Sequence, residues 1–388
     1  MASSFTLPQA FNAKYWLRWT AIVASLILLQ VGLLLFAGAV YRGVVNWRSA
    51  EAAAALPDPN VALGMPRALA AFPRFRFEWW RLAGRLTDEA GKIYGFSFRF
   101  DRINEFDWSD LWWRRSLQRR DHYTAYLAVA EIGGEQFYLS RRRDDAAVAL
   151  SEHFDLRLAG WRLSQSQLPL VLDAPDPKTG LNLTAVPDKK PVLFGDHGYQ
   201  WRGAAGAPVY LAGLPALDLD GMLTWKGQRK SVRGSGFFEH EFTSYRLPAA
   251  TPGWDRVFLS LNNNYQLLLV RLRAANGASQ SDAPLAVILP DSETMEFRAP
   301  GYDCQPSLYQ AEKSGRNAYP IAWNMRLEHY QADLRVKALM PGLTQRRAAD
   351  QQRSWEGLCE VEGSWRSWPV RGTGFIELTG YPVARTLF

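Results

Sequence analysis

From Thr20 to Tyr41 the chain reads TAIVASLILLQVGLLLFAGAVY, 22 residues without a charged side chain. At about 1.5 Å per residue a helix of that length crosses the hydrocarbon of a bilayer. The segment leaves two histories for the polypeptide: it stays as an anchor or it is removed. Lys14 and Arg18 precede it and no acidic residue occurs before Glu51. That bias puts residues 1–19 in the cytoplasm, makes 20–41 a signal anchor, and sends everything after about residue 42 across the membrane, although Arg42 and Arg48 work against it. The expected location is a single pass in an inner membrane with the bulk in a periplasm. Cleavage at Ala37-Gly38-Ala39 would instead give a secreted protein. The apolar core exceeds the ~7–15 residues of a signal peptide, which favours the anchor.

The remaining chain is long enough for two ordinary cores. Its 16 Trp, 30 Gly and 22 Pro, with aromatics along the whole length, point to short strands joined by turns. Residues 42–72, rich in Ala and Pro, read as a linker. From Arg74 onward strand signals recur. RFRFEWWRLAGRLT, a turn at Asp88–Gly91 and IYGFSFRF form one hairpin. RVFLSL, Asn262-Asn263-Asn264 and YQLLLVRLR form a second, followed by a turn at Asn276-Gly277. LDGMLTW, SGFFEHEF, AWNMRLEHY, LRVKAL, WEGLCEVEG and GTGFIELTGY add further strands, and no strand–helix alternation is visible. The class is all-β, with two consecutive antiparallel barrels or sandwiches at 73–247 and 248–388, divided in the Pro-Gly stretch around 247–253.

Several motifs keep a family order: Glu78-Trp79-Trp80, Gly84-x-Leu86-Thr87-Asp88, Tyr94-Gly95, Gly195-Asp196-x-Gly198-Tyr199, Glu239-His240-Glu241-Phe242, Trp355-Glu356-Gly357 and Gly374-Phe375-Ile376-Glu377-Leu378-Thr379-Gly380-Tyr381. Over roughly residues 70–388 the chain resembles the lipocalin-like superfamily that includes the carotenoid 1,2-hydratases and the AttH-like secreted proteins. The resemblance implies two lipocalin-like β-barrels. It also implies either association with an ABC-transporter permease, as for AttH-type members, or hydration or cyclisation of polyenes, as in other branches.

Three residues are candidates for chemistry. On the strand Phe237–Phe242, alternation puts Phe238, His240 and Phe242 on one face and Glu239 and Glu241 on the other. If the aromatic face looks inward, His240 is a neutral imidazole among apolar groups, or a core histidine satisfied by a backbone carbonyl. The resemblance supports a special role, since the family's run is Asp-His-Glu-Trp, from which Glu239 and Phe242 depart. Glu78 is the other acid: in a dry cavity it stays protonated and can protonate an alkene, whereas beside Arg76, Arg81 or Arg85 it is an ion-pair partner. Trp79, Trp80, Phe238, Phe242 and Tyr199 are the candidate ligand-lining aromatics, and Asp196 with Tyr199 makes either a mouth or a plain turn. Two departures weigh against hydratase chemistry: Tyr126 stands where the family has a histidine, and Leu269 and Leu272 stand on a strand where the hydratases are expected to carry an acid.

Metal, serine-hydrolase and nucleotide motifs are absent, and His122, His153, His197, His240 and His329 are scattered, so no cofactor or metal is expected. Cys304 and Cys359 either form one disulfide or remain buried thiols. The Trp/Arg-rich run Asp107–Arg120 suits a membrane interface or covers a barrel end. A net charge of +7 would ordinarily raise nucleic acid as a partner, but translocation removes it. The expected partners are a hydrophobic small molecule or lipid, the membrane and an ABC permease. The alternative is a cofactor-free lyase or cyclase using Glu78 or Glu239 as acid and His240 to position water.

Overall fold

The computed structural model describes residues 13–106, 119–134, 137–144, 146–165, 169–202, 207–245, 253–274, 279, 282–311, 318–339, 343–346 and 353–381. The 246–252 part of the expected boundary, the turn at Asn276-Gly277 and most of the Trp/Arg-rich run lie outside the described residues. The chain divides into two units. One contains the helix Ala13–Ala53, in which Trp16–Arg42 is long and apolar enough to cross a membrane. A retained anchor and a signal sequence both have that property.

The other unit is all β apart from a 3-10 turn at Arg67–Leu69. It contains two curled antiparallel sheets, of thirteen and ten strands among the described residues. The same wiring builds each one. A run of neighbouring hairpins is joined so that the first strand pairs with the last: Phe77–Asp88 with Gln228–Thr243 in the first sheet, and Gly253–Leu261 with Trp368–Thr379 in the second. Both hairpins read from the sequence are present. Phe77–Asp88 pairs with Ile93–Phe106 around Gly91 at φ 78°, and Gly253–Leu261 pairs with Gln266–Arg273 around Asn264 at φ 65°.

Burial follows the period of two wherever one face meets solvent. In Leu170–Ala174 buried and exposed residues alternate strictly. Gln266–Arg273 is buried at every position, because Leu267 and Leu269 fill the second sheet's core while Leu268 and Val270 face the first sheet. That double covering explains the nearly uninterrupted apolar run of this strand. The two sheets meet back to back through their first-and-last strand pairs, where Phe237, Phe258 and Phe375 pack together. Gly84 stands opposite Gly236 across the first pair, and a Cβ on Gly84 would fall 2.3 Å from the Ser235 carbonyl oxygen, so the close approach there requires glycine.

The Ala/Pro-rich stretch expected to act as a spacer is packed from Ala55 onward. Ala55 N donates to Arg74 O, Ala71 N donates to Leu150 O, and Ala68 to Ala71 are buried. Small side chains let this backbone enter the open end of the first sheet, where its polar groups find partners.

Candidate functional site

Alternation on Phe77–Asp88 turns Glu78 and Trp80 into the first sheet, and alternation on Gln228–Thr243 turns Phe238, His240 and Phe242 in beside them. Trp80 is directly opposite His240, and the two rings stack at 4.6 Å and 5°. His240 Nδ1 is 2.7 Å from Ala68 O and its Nε2 is 2.9 Å from Glu78 Oε1. Glu78 also accepts from Phe72 N at 2.7 Å and from Arg102 Nε at 2.8 Å. Arg102 donates further to Asp121 Oδ1 and to the carbonyls of Phe72 and Phe75, while Trp80 Nε1 donates to Leu69 O. Every one of these bonds except that to Asp121 ties the segment Ala68–Phe75, or its holders, to one another. The group is a clamp on the segment that fills the sheet's open end.

Protonation follows from that geometry. Burial pushes the Glu78 carboxyl upward, but the His240 hydrogen bond, the Arg102 guanidinium and the Phe72 N–H outweigh it and hold the group below its ordinary value of 4.5. Glu78 is therefore a carboxylate, where a dry cavity alone would have kept it protonated. Both nitrogens of His240 face oxygen atoms, Nδ1 the Ala68 carbonyl and Nε2 the Glu78 carboxylate, so the ring is held at both ends by the backbone carbonyl and its acid partner.

The opposite faces of the same two strands form the seam between the sheets. Arg81 pairs with Glu377, Arg99 lies 3.4 Å from Glu377 and 2.7 Å from Asp101, and Arg202 and Arg256 both pair with Glu241. Arg256 Nη1 is 3.0 Å from Glu239 Oε2 as an ion pair, without the angle of a hydrogen bond. Half-buried Trp79 takes the guanidinium carbons of Arg99 and Arg256 at 4.6 Å each and of Arg81 at 5.3 Å. Burial raises the Glu241 carboxyl, and Arg202 and Arg256 overcome this to hold it low.

Because Glu78 and Glu241 titrate lower folded than unfolded, the folded protein binds fewer protons as the unfolded value is approached. Their stabilisation is complete above about pH 4.5 and is lost as pH falls through the folded values. Thermal midpoints should be level from pH 7 to about 5 and fall below that. A midpoint rising on acidification through this range would contradict the assignment.

Further along the seam, past the Phe237–Phe258–Phe375 trio, a cleft of about 140 Å³ opens between the sheets. The structure thus brings Glu78 and His240 together inside the first sheet and sends Glu239 into the seam. Of the aromatics, Trp80, Phe238 and Phe242 are packed inside, Phe242 stacking on Phe72 at 4.2 Å. Trp79 is in the seam, and Tyr199 joins Phe75, Tyr210 and Leu63 at the first sheet's open end. Asp196 and Tyr199 exchange backbone hydrogen bonds in a tight turn. The glutamate's arginine is Arg102, from the neighbouring strand, in place of Arg76, Arg81 or Arg85. The possible disulfide is corrected: Cys304 and Cys359 are free and buried. Two strands separate theirs in the sheet order, and neighbouring strands are about 4.8 Å apart, beyond the reach of an S–S bridge. Burial lifts the Cys304 thiol to about 11.

Sequence reading passed over Arg102, Asp255 and Gln266. Asp255 is 1% exposed and accepts from Arg271, Arg273 and Tyr381, so the strand on which the hydratases are expected to carry an acid here supplies arginines to a neighbour's aspartate. An aspartate before a run of apolar residues and two arginines at i and i+2 across a hairpin was the available signal.

The family model described as AttH-like matches residues 56–381. Among solved structures, one assigned as an AttH protein from Nitrosomonas europaea is 22% identical with a TM-score of 0.72, covering 84% of this chain and 99% of that one. Kievitone hydratase from Nectria haematococca is 12% identical with a TM-score of 0.64, over 84% and 96%. CghA with Sch210972 is 11% identical with a TM-score of 0.51, over 79% and 88%. At these identities the likeness is one of fold. No curated protein matches the sequence.

Proposed function

We propose, from the premise that this chain belongs to the AttH-like family, that it is a membrane-tethered binding protein for a small hydrophobic molecule, taken up in the seam between its two sheets. The observation that carries the reading is the 140 Å³ cleft backed by Phe237, Phe258 and Phe375. An engineered apolar cavity of about 150 Å³ takes up benzene, so this volume suits one ring or an equivalent apolar end of a longer molecule. Trp16–Arg42 supports the tether, and the family resemblance supports an ABC permease as the recipient of the ligand. Periplasmic placement of the β unit follows from the charge bias of the helix flanks.

Carriage is favoured over hydration because the acid that alkene protonation needs is not supplied by Glu78. That carboxyl is ionised, wholly buried and closed in by the Ala68–Phe75 segment. A general acid has to hold its proton at the working pH and reach the substrate, and Glu78 does neither.

The test is mass spectrometry of the compound that co-purifies with the detergent-extracted full chain, followed by rebinding. Phe258→Ala should weaken rebinding by tenfold or more, while Glu78→Gln should change it less than tenfold. Conversion of the compound into its hydrated form by the wild-type protein would overturn the carrier reading.

A further inference from the structure

The cleft is not uniformly apolar, and two of its walls carry polar atoms with nothing to bond. Gln266, 2% exposed, reaches it from the second sheet; one end of its amide is 3.3 Å from Ser260 Oγ and the other has no partner among the described residues. Turning the amide round exchanges the ends without removing the vacancy. Across the cleft, Arg85 has no hydrogen bond or ion pair among the described residues, and its buried Nε is unsatisfied. Neighbouring arginines of the seam are all paired with acids, so Arg85 is the exception along this face. A buried amide end without a partner is costly, and it is tolerated most readily where something else fills it.

We infer that the cleft selects a ligand ending in a single aromatic ring that bears a hydroxyl for Gln266 and a second, uncharged oxygen acceptor for Arg85. The inference rests on the seam being the binding site and adds the chemistry of what enters it. A hydroxyl both donates and accepts, so it satisfies the free end of the Gln266 amide in either orientation. The ring packs on the stacked pair Phe237 and Phe258, whose centroids are 4.0 Å apart. Arg85 supplies only donors and therefore calls for an oxygen acceptor. Asp188 and Asp218 also line the cleft, and both are exposed at its rim. Asp188 and Asp218 are balanced by Arg85 and by the Lys189 ammonium, which donates to Asn264 O beside the cleft, so no net positive charge calls for a carboxylate, and an uncharged oxygen such as a carbonyl meets the guanidinium.

The test is calorimetric titration of the detergent-solubilised full chain with ethylbenzene, 4-ethylphenol and 4-hydroxyacetophenone. Affinity should rise about fivefold to tenfold from the first to the second and again from the second to the third, as each added group meets its partner. Gln266→Leu should erase the first step and Arg85→Met the second, each leaving ethylbenzene binding in place. Equal affinities of ethylbenzene and 4-ethylphenol for the wild-type protein would overturn this inference while leaving the seam as the binding site. Failure of all three to bind would overturn both. The wild-type series decides the matter even where a variant does not fold.

Discussion

Arg102→Met should lower the stability of the β unit by about 3–5 kcal/mol, the cost of removing one partner from a buried ion pair. Arg102 is 1% exposed and serves two carboxylates and two carbonyls at once: Glu78 and Asp121 at 2.8 Å each, Phe72 O at 3.0 Å and Phe75 O at 2.8 Å. Methionine fills much of the volume but donates nothing. It would leave the Glu78 carboxylate with only His240 and the Phe72 N–H, and the returning segment with the Phe75 carbonyl unmet, while Phe72 O keeps the Phe75 N–H. In thermal unfolding the midpoint should drop by roughly 10 °C. Arg102→Lys should fall between, since an ammonium keeps the charge but cannot reach four acceptors in a planar fork. Replacing Arg233, whose pair with Asp220 is exposed, serves as the comparison and should leave the midpoint where it was. If Arg102→Met were equally silent, the clamp would contribute nothing and the Ala68–Phe75 segment would have to be held by its apolar contacts alone.

The second large effect is expected at Arg256, in the seam. Its side chain is 3% exposed, pairs with Glu241 and lies 3.0 Å from Glu239, so Arg256→Met leaves two carboxylates in a buried surface with Arg202 as the remaining cation of that group of four. The loss should again be about 3–5 kcal/mol. It should appear as a separation of the two sheets: the wild-type β unit should unfold in one transition and the variant in two, read by calorimetry. Adding Glu239→Gln should recover part of the loss, because the charge left without a partner is removed with it. A double variant as unstable as the single one would show that the effect comes from lost packing on Trp79 rather than from the charge. Both predictions concern arginines that a strand-pattern reading passes over, since a charged residue at a strand position is ordinarily assigned to solvent.

How far the sequence could be read differs from residue to residue. The alternation Phe238, His240, Phe242 against Glu239, Glu241 was legible because it is a property of any pleated strand. It held on both sides, with the histidine face turned into the first sheet and the glutamate face turned into the seam. What the glutamate face met was not legible. Glu241 and Arg256 are 15 positions apart and Arg81 and Glu377 are 296 apart, and nothing local in either stretch announces the other. The apolar strand Gln266–Arg273 was recognised as a strand, while its burial on both faces came from the second sheet packing on the first. The Ala-rich stretch before Phe72 read as a spacer for the same reason: small side chains are compatible with a loose linker and with a segment threaded into a sheet's end, and only the donors and acceptors awaiting it distinguish the two.

By itself, then, the sequence determined one apolar helix at the start, two all-β halves after it, the hairpins at Asp88–Gly91 and Asn262–Asn264, and which side chains share a face. These follow from hydropathy and from a two-residue period, both of which are written within a few neighbouring positions. The tertiary structure alone decided that Glu78 meets His240 across 162 positions, that Arg102 holds the carboxylate ionised, and that the open cleft lies between the sheets. Those outcomes depend on sheet register and on which outer face is covered. Both are set by the summed packing of distant strands, and so by contacts that no local stretch of the chain encodes.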